Sequence, residues 1–358
     1  MTEIVANFEI PYTAILNPEG QPIAPLPKIV NNSEIMGYLY RNMVLIRTFD
    51  KKAIALQRTG KLGTYAPKIG QEAIATIIGY LMQKEDVFIP YYRDYACQIQ
   101  RGVRFSEILA FWGGDERGNH FQYNSHDLPM CVPIASQCLH AAGVAFAFKY
   151  RKQPRVAVVC IGDGGTSEGD FYEAMNVAGC WKLPLIIVIN NNQWAISVSR
   201  EQQTASQTLA QKAIAAGIHG LQVDGNDILA LHEVFSSALE HARSGKGPIL
   251  IEAISYRLSD HTTADDASRY QNKEEVEKAW LNEPMIRFKK FLETHHQWNE
   301  TKELDLISEC KKIVDNEVEV YLTTPRQPIS SMFDFHYEKL PEYLILQRAI
   351  AIEEGSDA

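Results

Sequence analysis

Apolar residues along this chain recur with two different periods, and the change from one to the other outlines its architecture. From residue 34 to about 58 they repeat at helical spacing, with Ser33 as the expected N-cap and Gly60 as the terminator. A glycine-rich turn, GKLGTYAPKIGQEA, leads into a second helical stretch over about 71–82, and a further helix is expected over 105–113. The pattern then switches to continuous apolar runs: RVAVVCI (155–161), LPLIIVIN (183–190) and PILIEAI (248–254), with a helix over about 167–180 between the first two. Runs so rich in Val and Ile suit strands buried on both faces of a parallel sheet, the βαβ signature. The stretch from about 272 to 323 interleaves Lys, Glu and Arg with apolar positions and reads as helices. Pro11, Pro18, Pro22, Pro25 and Pro27 rule out helix near the start. The expected organisation is an extended arm (1–32), an α/β domain with a helix-flanked parallel sheet (33–270), and a C-terminal helical region (271–358) packed on that domain.

Composition narrows the function classes. The chain has 358 residues, 46% hydrophobic and 22% charged, enough for one large folded domain. Its net charge of -9, with Lys and Arg scattered, gives no basic footprint for nucleic acid. No apolar stretch approaches the roughly 18 residues of a membrane span, and no signal pattern opens the chain, so a cytoplasmic protein is expected. The 6 cysteines are widely spaced without CxxC, which suggests neither a zinc site nor a disulfide framework.

The chemistry gathers at the ends of two strands. Asp163 follows the run 156–161, and Asn192, which stands 29 positions later, follows the run 185–189. If those strands are parallel neighbours, both residues lie in the crevice where open α/β sheets bind ligands. A carboxylate and an amide oxygen, without His or Cys, suit Mg²⁺, whose other positions are taken by water and ligand phosphates. Gly162, Gly164 and Gly165 would let backbone approach such a ligand, and a helix opening near Thr166 and Ser167 would aim its positive end at it. Each turn alone is an ordinary solvated turn; the spacing of one crossover is what joins them. Neither GxxxxGK[ST] nor GxGxxG after a strand occurs, which argues against ATP and NAD.

GDG, 26 intervening residues and then NN (Gly162 to Gly164, Asn191 and Asn192) resemble the thiamine-diphosphate motif. The surrounding chain resembles the alpha subunits of the first component of 2-oxo acid dehydrogenase complexes, from TYAPKIGQEA (64–73) and YYRDYA (91–96) through VPIASQ (132–137) to TLAQKAIAAGIHGLQVDGND (208–227) and GPILIEAISYRLSDHTTADDASRY (247–270). The resemblance implies the thiamine-diphosphate-binding fold, with thiamine diphosphate and Mg²⁺ as cofactors. It implies that Tyr92 and Arg93 bind the diphosphate and that Asp163, Asn192 and the carbonyl of Trp194 hold the metal. Gly164 and Gly165 would meet the diphosphate through their backbone, and Ile134 would support the bent cofactor. His261 would lie by the diphosphate and help pass the acyl group to a lipoyl arm, with Arg257 supporting the phosphates. Asp265, Asp266 and Arg269 match a loop that orders on cofactor binding, and Cys131, Ser136 and Gln137 match a monovalent-cation site of some relatives. His120 and His126 stand where relatives carry active-site histidines, and Thr262 takes the place of a regulatory serine of eukaryotic relatives. The chain departs from some relatives at Asn190 and Trp194, without loss of an implied ligand.

The resembled family activates its cofactor with a glutamate from a pyrimidine-binding domain, and this chain is expected to lack that domain. A separate beta subunit, an α2β2 heterotetramer and a lipoyl-bearing acyltransferase core are therefore the implied partners, with a small 2-oxo acid as substrate. The motifs resemble bacterial pyruvate dehydrogenase alpha subunits most, with branched-chain 2-oxo acid and acetoin dehydrogenases as alternatives. Readings from other classes are a non-catalytic scaffold subunit and a Mg²⁺-dependent phosphohydrolase.

Overall fold

The computed structural model describes residues 1–122, 126–334 and 336–355. Its strands are β1 (Tyr12–Thr13), β2 (Val87–Ile89), β3 (Ala157–Gly162), β4 (Leu185–Asn191), β5 (Trp194–Ala195), β6 (Val198–Ser199), β7 (His219–Asp224) and β8 (Ile249–Ile254). The helices before and within the sheet are α1 (Ser33–Arg58), α2 (Glu72–Leu81), α3 (Tyr95–Gln100), α4 (Phe105–Trp112), α5 (Ser136–Tyr150), α6 (Gly169–Cys180), α7 (Arg200–Gln203), α8 (Lys212–Ala215) and α9 (Ile228–Arg243). Behind β8 come α10 (Lys273–Leu281), α11 (Pro284–His295), α12 (Glu300–Thr323), α13 (Ser331–Asp334) and α14 (Glu342–Gly355).

Six strands form one parallel sheet in the order β1-β7-β8-β4-β3-β2. Alternate residues of each central strand enter different cores, which is why these strands read as unbroken apolar runs. On β3, Val158 and Cys160 join a core with α1, α2, α9, α11 and α12, whereas Val159 and Ile161 join another with α5 and α6. The tail helices α11 and α12 share the first core through Phe288, Phe291, Leu306 and Val314.

Some expectations are corrected at element ends. The N-cap of α1 is Asn32, not Ser33, because the Asn32 carboxamide accepts from Glu34 N and Ile35 N at 3.1 Å each. The proline-rich arm is not wholly at the surface. Its Tyr12–Thr13 pairs with β7, and Ile15 and Leu16 are buried, both donating their N–H to Asp227 at 2.6 Å. Asp227 also caps α9, so one carboxylate ties the arm to a helix start. β2, β7 and α9 lie outside the strand and helix runs picked out above; β7 alternates buried and partly exposed positions instead of running continuously apolar. Among the described residues no helix is long and apolar enough to cross a membrane.

Candidate functional site

β3 and β4 are hydrogen-bonded neighbours, with Gly162 opposite Asn190, so Asp163 and Asn192 leave the carboxyl edge of the sheet side by side. After β3 the chain does not enter a helix at once. Asp163 takes a right-handed helical conformation, and Thr166 donates to its carbonyl through both N–H (3.1 Å) and Oγ1 (2.7 Å), closing a 3-10 turn over Gly164–Ser167. Glu168 is extended and caps α6, so the helix proper begins at Gly169, later than the sequence suggested. The two glycines of the turn are needed by the protein itself. A Cβ on Gly164 would lie 2.5 Å from the Ala195 Cβ, and one on Gly165 would lie 2.6 Å from Ile161 Cγ1.

Beyond β4 the chain turns sharply, with Gln193 at φ +71. The Asn191 carboxamide accepts from Gln193 N at 3.2 Å, and Asn192 Oδ1 accepts from Trp194 N at 3.2 Å, so Asn side chains substitute for the missing ladder. Asn192 Nδ2 donates to Gln71 Oε1 at 3.0 Å, which fixes which end of the amide faces the site. The segment after β8 runs alongside, with Ser255 N on Asn191 O and Arg257 N on Asn192 O. Asn190, the departure from some relatives, donates to the Tyr91 hydroxyl at 3.1 Å and accepts from Ser255.

Tyr92, Arg93, Ile134, Asp163, Gly164, Gly165, Asn192, Trp194 and His261 line one pocket of about 240 Å³, joined by Cys131 and Gln137. Arg257 is fully buried behind the pocket wall instead of lining it. Its guanidinium donates to Ile196 O (2.7 Å), the Tyr270 hydroxyl (2.6 Å), Ser259 O (3.2 Å) and Trp194 O (3.4 Å). Cys131 Sγ lies 3.1 Å from Ser136 Oγ, and Gln137 Oε1 is buried without a hydrogen-bond partner. His120 borders a separate surface hollow with Phe111 and Asn119, and neither it nor His126 lines the Asp163 pocket. Asp265 accepts from His261 N at 2.9 Å and from the Tyr270 hydroxyl, which pins the loop that carries the histidine. Asp266 accepts from Ser268 N at 3.2 Å, capping a 3-10 turn that includes Arg269, and Ala264 N donates to Thr262 Oγ1 at 3.3 Å.

The electrostatics of the pocket are unbalanced. Arg93, 1% exposed, donates to Pro67 O (2.5 Å) and His261 O (3.0 Å), and its Nε has no partner. Neither Arg93 nor Arg257 has a carboxylate partner among the described residues. His261 Nδ1 faces Arg93 Nη2 at 3.3 Å and Arg257 Nη1 at 3.5 Å. Guanidinium groups only donate, so Nδ1 must accept and the ring is neutral with its proton on Nε2. Burial, then Arg93 and Arg257, push the His261 pKa down to about 3, against a weaker pull from Asp265. Asp163 sits at the opposite imbalance. Burial raises its pKa, while the Gln203 side chain and the backbone N–H groups of Asp163 and Asn192 favour the anion.

Arg93 and Arg257 are buried without a contacting carboxylate and Asp163 without a contacting cation, and the charges of Arg257 and Asp163 act on each other only at a distance, so their burial is left largely uncompensated. A divalent ion at Asp163 and an anion near Arg93 would compensate it, and the donor set fits. Among the described residues no group of three or more His, Cys, Asp or Glu gathers, so a cation here would rely on the Asp163 carboxylate with neutral oxygens. Sequence reasoning did not anticipate Gln71 and Gln203, which hold Asn192 and Asp163; nothing local distinguishes either from a surface glutamine.

Comparison with known proteins identifies the family. The Dehydrogenase E1 component family model matches residues 40–330. The chain is 42% identical over 319 residues to the Staphylococcus aureus protein named pyruvate dehydrogenase E1 component subunit alpha, covering 89% of this chain and 86% of that one. The proteins of the same name from Mycoplasma genitalium and Mycoplasma pneumoniae are each 37% identical over 350 residues, covering 97% of this chain and 98% of theirs.

Proposed function

The chain belongs to the Dehydrogenase E1 component family, and we propose that it is the alpha subunit of a pyruvate dehydrogenase first component. The observation that carries this reading is the buried pair Arg93 and Arg257, facing one histidine and lacking carboxylate partners, beside the buried Asp163. Thiamine diphosphate, when bound, supplies the electron sink for breaking the bond between a 2-oxo carbon and its carboxylate. Asp163, Asn192 Oδ1 and the Trp194 carbonyl hold the Mg²⁺. Tyr92 and Arg93 take the diphosphate directly, with Arg257 adding its charge from behind the wall and Gly164 and Gly165 forming the turn beneath. Ile134 is the apolar support. With Nδ1 occupied as an acceptor, the neutral His261 ring would keep Nε2–H as a hydrogen-bond donor for the group being passed to a lipoyl arm.

A beta subunit supplies the missing glutamate in an α2β2 assembly docked on a lipoyl-bearing acyltransferase core, and the complex works in the cytoplasm. The names of the relatives favour pyruvate over branched-chain 2-oxo acids and acetoin. The test is to assemble the chain with its beta subunit and compare decarboxylation rates on pyruvate, branched 2-oxo acids and acetoin. Pyruvate should lead; an equal or higher kcat/KM on a branched acid would overturn the substrate assignment. Vigorous turnover by this chain alone would overturn the shared site.

A further inference from the structure

The side chain that touches the Asp163 carboxylate is neither a cation nor a neighbour in sequence. Gln203, the last residue of α7, donates from Nε2 to Asp163 Oδ2 at 2.9 Å across a separation of 40 residues. The same amide reaches the Val198 carbonyl at 3.3 Å, so its nitrogen is fixed between β6 and the strand-end turn. Its Oε1 lies 3.5 Å from the point where a Gly164 Cβ would stand, so the amide packs beside the turn that carries Asp163. The segment 193–207 that carries Gln203 is itself clipped down. Arg257 donates to Ile196 O at 2.7 Å, Arg200 N donates to Gln193 O at 2.9 Å, and the Arg200 guanidinium donates to Gln207 O at 2.8 Å.

We propose that Gln203 is a positioning residue for the cation: by holding one Asp163 oxygen it turns the other toward the metal. This rests on the reading of Asp163 as a cation ligand. The Asp163 carboxylate also meets the backbone N–H groups of Asp163 and Asn192, and the Gln203 donor is the one side chain among the described residues that adds to this restraint before the ion arrives. Outer partners of this kind are worth about 10- to 100-fold in metal affinity.

The test uses the full chain with its beta subunit and thiamine diphosphate, titrated with Mn²⁺ while free ion is followed by electron paramagnetic resonance. Q203M keeps the volume and removes the donor, and Q203A removes both. The expected result for each is a Mn²⁺ dissociation constant raised about 10- to 100-fold, with the ion-free Q203M protein still folded and assembled with its beta subunit. Apparent KM for Mg²⁺ should rise while kcat at saturating Mg²⁺ stays near the parent value. If D163N abolishes Mn²⁺ binding and Q203M leaves it unchanged, the inference fails and the site stands. If D163N also leaves it unchanged, the reading of Asp163 fails with it.

Discussion

Two sets of arginines in this protein contrast, one partly or fully buried against carboxylates and one fully buried without them. Arg47, Arg101, Arg243 and Arg287 each meet a carboxylate: Arg47 lies between Glu72 and Glu283, Arg101 binds Asp127, Arg243 binds Asp86, and Arg287 binds Asp224. Arg47 joins α1 to α2 and the start of α11, Arg101 ties the end of α3 to the loop at Asp127, Arg243 ties α9 to the turn before β2, and Arg287 ties α11 to β7. Arg93 and Arg257 meet only carbonyls, a tyrosine hydroxyl and a histidine nitrogen. The first kind balances its charge within the chain; the second is left for a ligand to balance. A cost of burial that the fold does not recover is what separates a binding site from a brace.

The sharpest break in this comparison should come from Arg47. R47M leaves Glu72 and Glu283 buried together without a cation, and unfolding in urea should show a loss of about 3–5 kcal/mol. R93M should invert that balance. Stability without ligand should hold or rise, because an uncompensated buried cation is removed and no buried carboxylate is orphaned. Affinity for thiamine diphosphate, read by calorimetry on the assembled enzyme, should fall about 10- to 100-fold, as expected for a lost charge-assisted bond. Equal destabilisation by R47M and R93M would erase the distinction.

A smaller effect should appear in pH. His261 has its pKa depressed from 6.5 to about 3 in the fold, so between these values the unfolded chain binds a proton that the folded chain refuses. Its contribution is therefore fully present above about pH 6.5 and falls as pH drops toward 3. An anion between the arginines would relieve the repulsion that holds the pKa down. Melting curves with diphosphate should accordingly lose less stability on acidification than those without, and H261Q should flatten the difference. A slope unchanged by diphosphate would mean the anion does not bind near this ring.

The sequence made the β3–α6–β4 unit readable because buried parallel strands leave unbroken Val and Ile runs, and the polar residues at their ends stand out against them. It was silent where the signal was not local. Asn32 and Ser33 are both good caps, and only the geometry of the chain entering α1 selects the asparagine. β7 was missed because an edge-side strand keeps partly exposed positions and loses the continuous pattern. Gly164 and Gly165 stand out in the sequence as residues that would let a ligand approach, whereas the need that the structure itself supplies is their close contact with Ala195 and Ile161.

Periodicity and composition, which act over a few residues, determined the layers of this protein, its crossover and the pair Asp163 and Asn192. Only the tertiary structure decided which charges remain unpaired. The motif YYRDYA marks Arg93 only through the family resemblance, and what distinguishes it physically from Arg47 is whether a carboxylate far along the chain arrives at the guanidinium. That is set by how the sheet and helices pack, since His261 reaches Arg93 across 168 residues and Glu283 reaches Arg47 across 236.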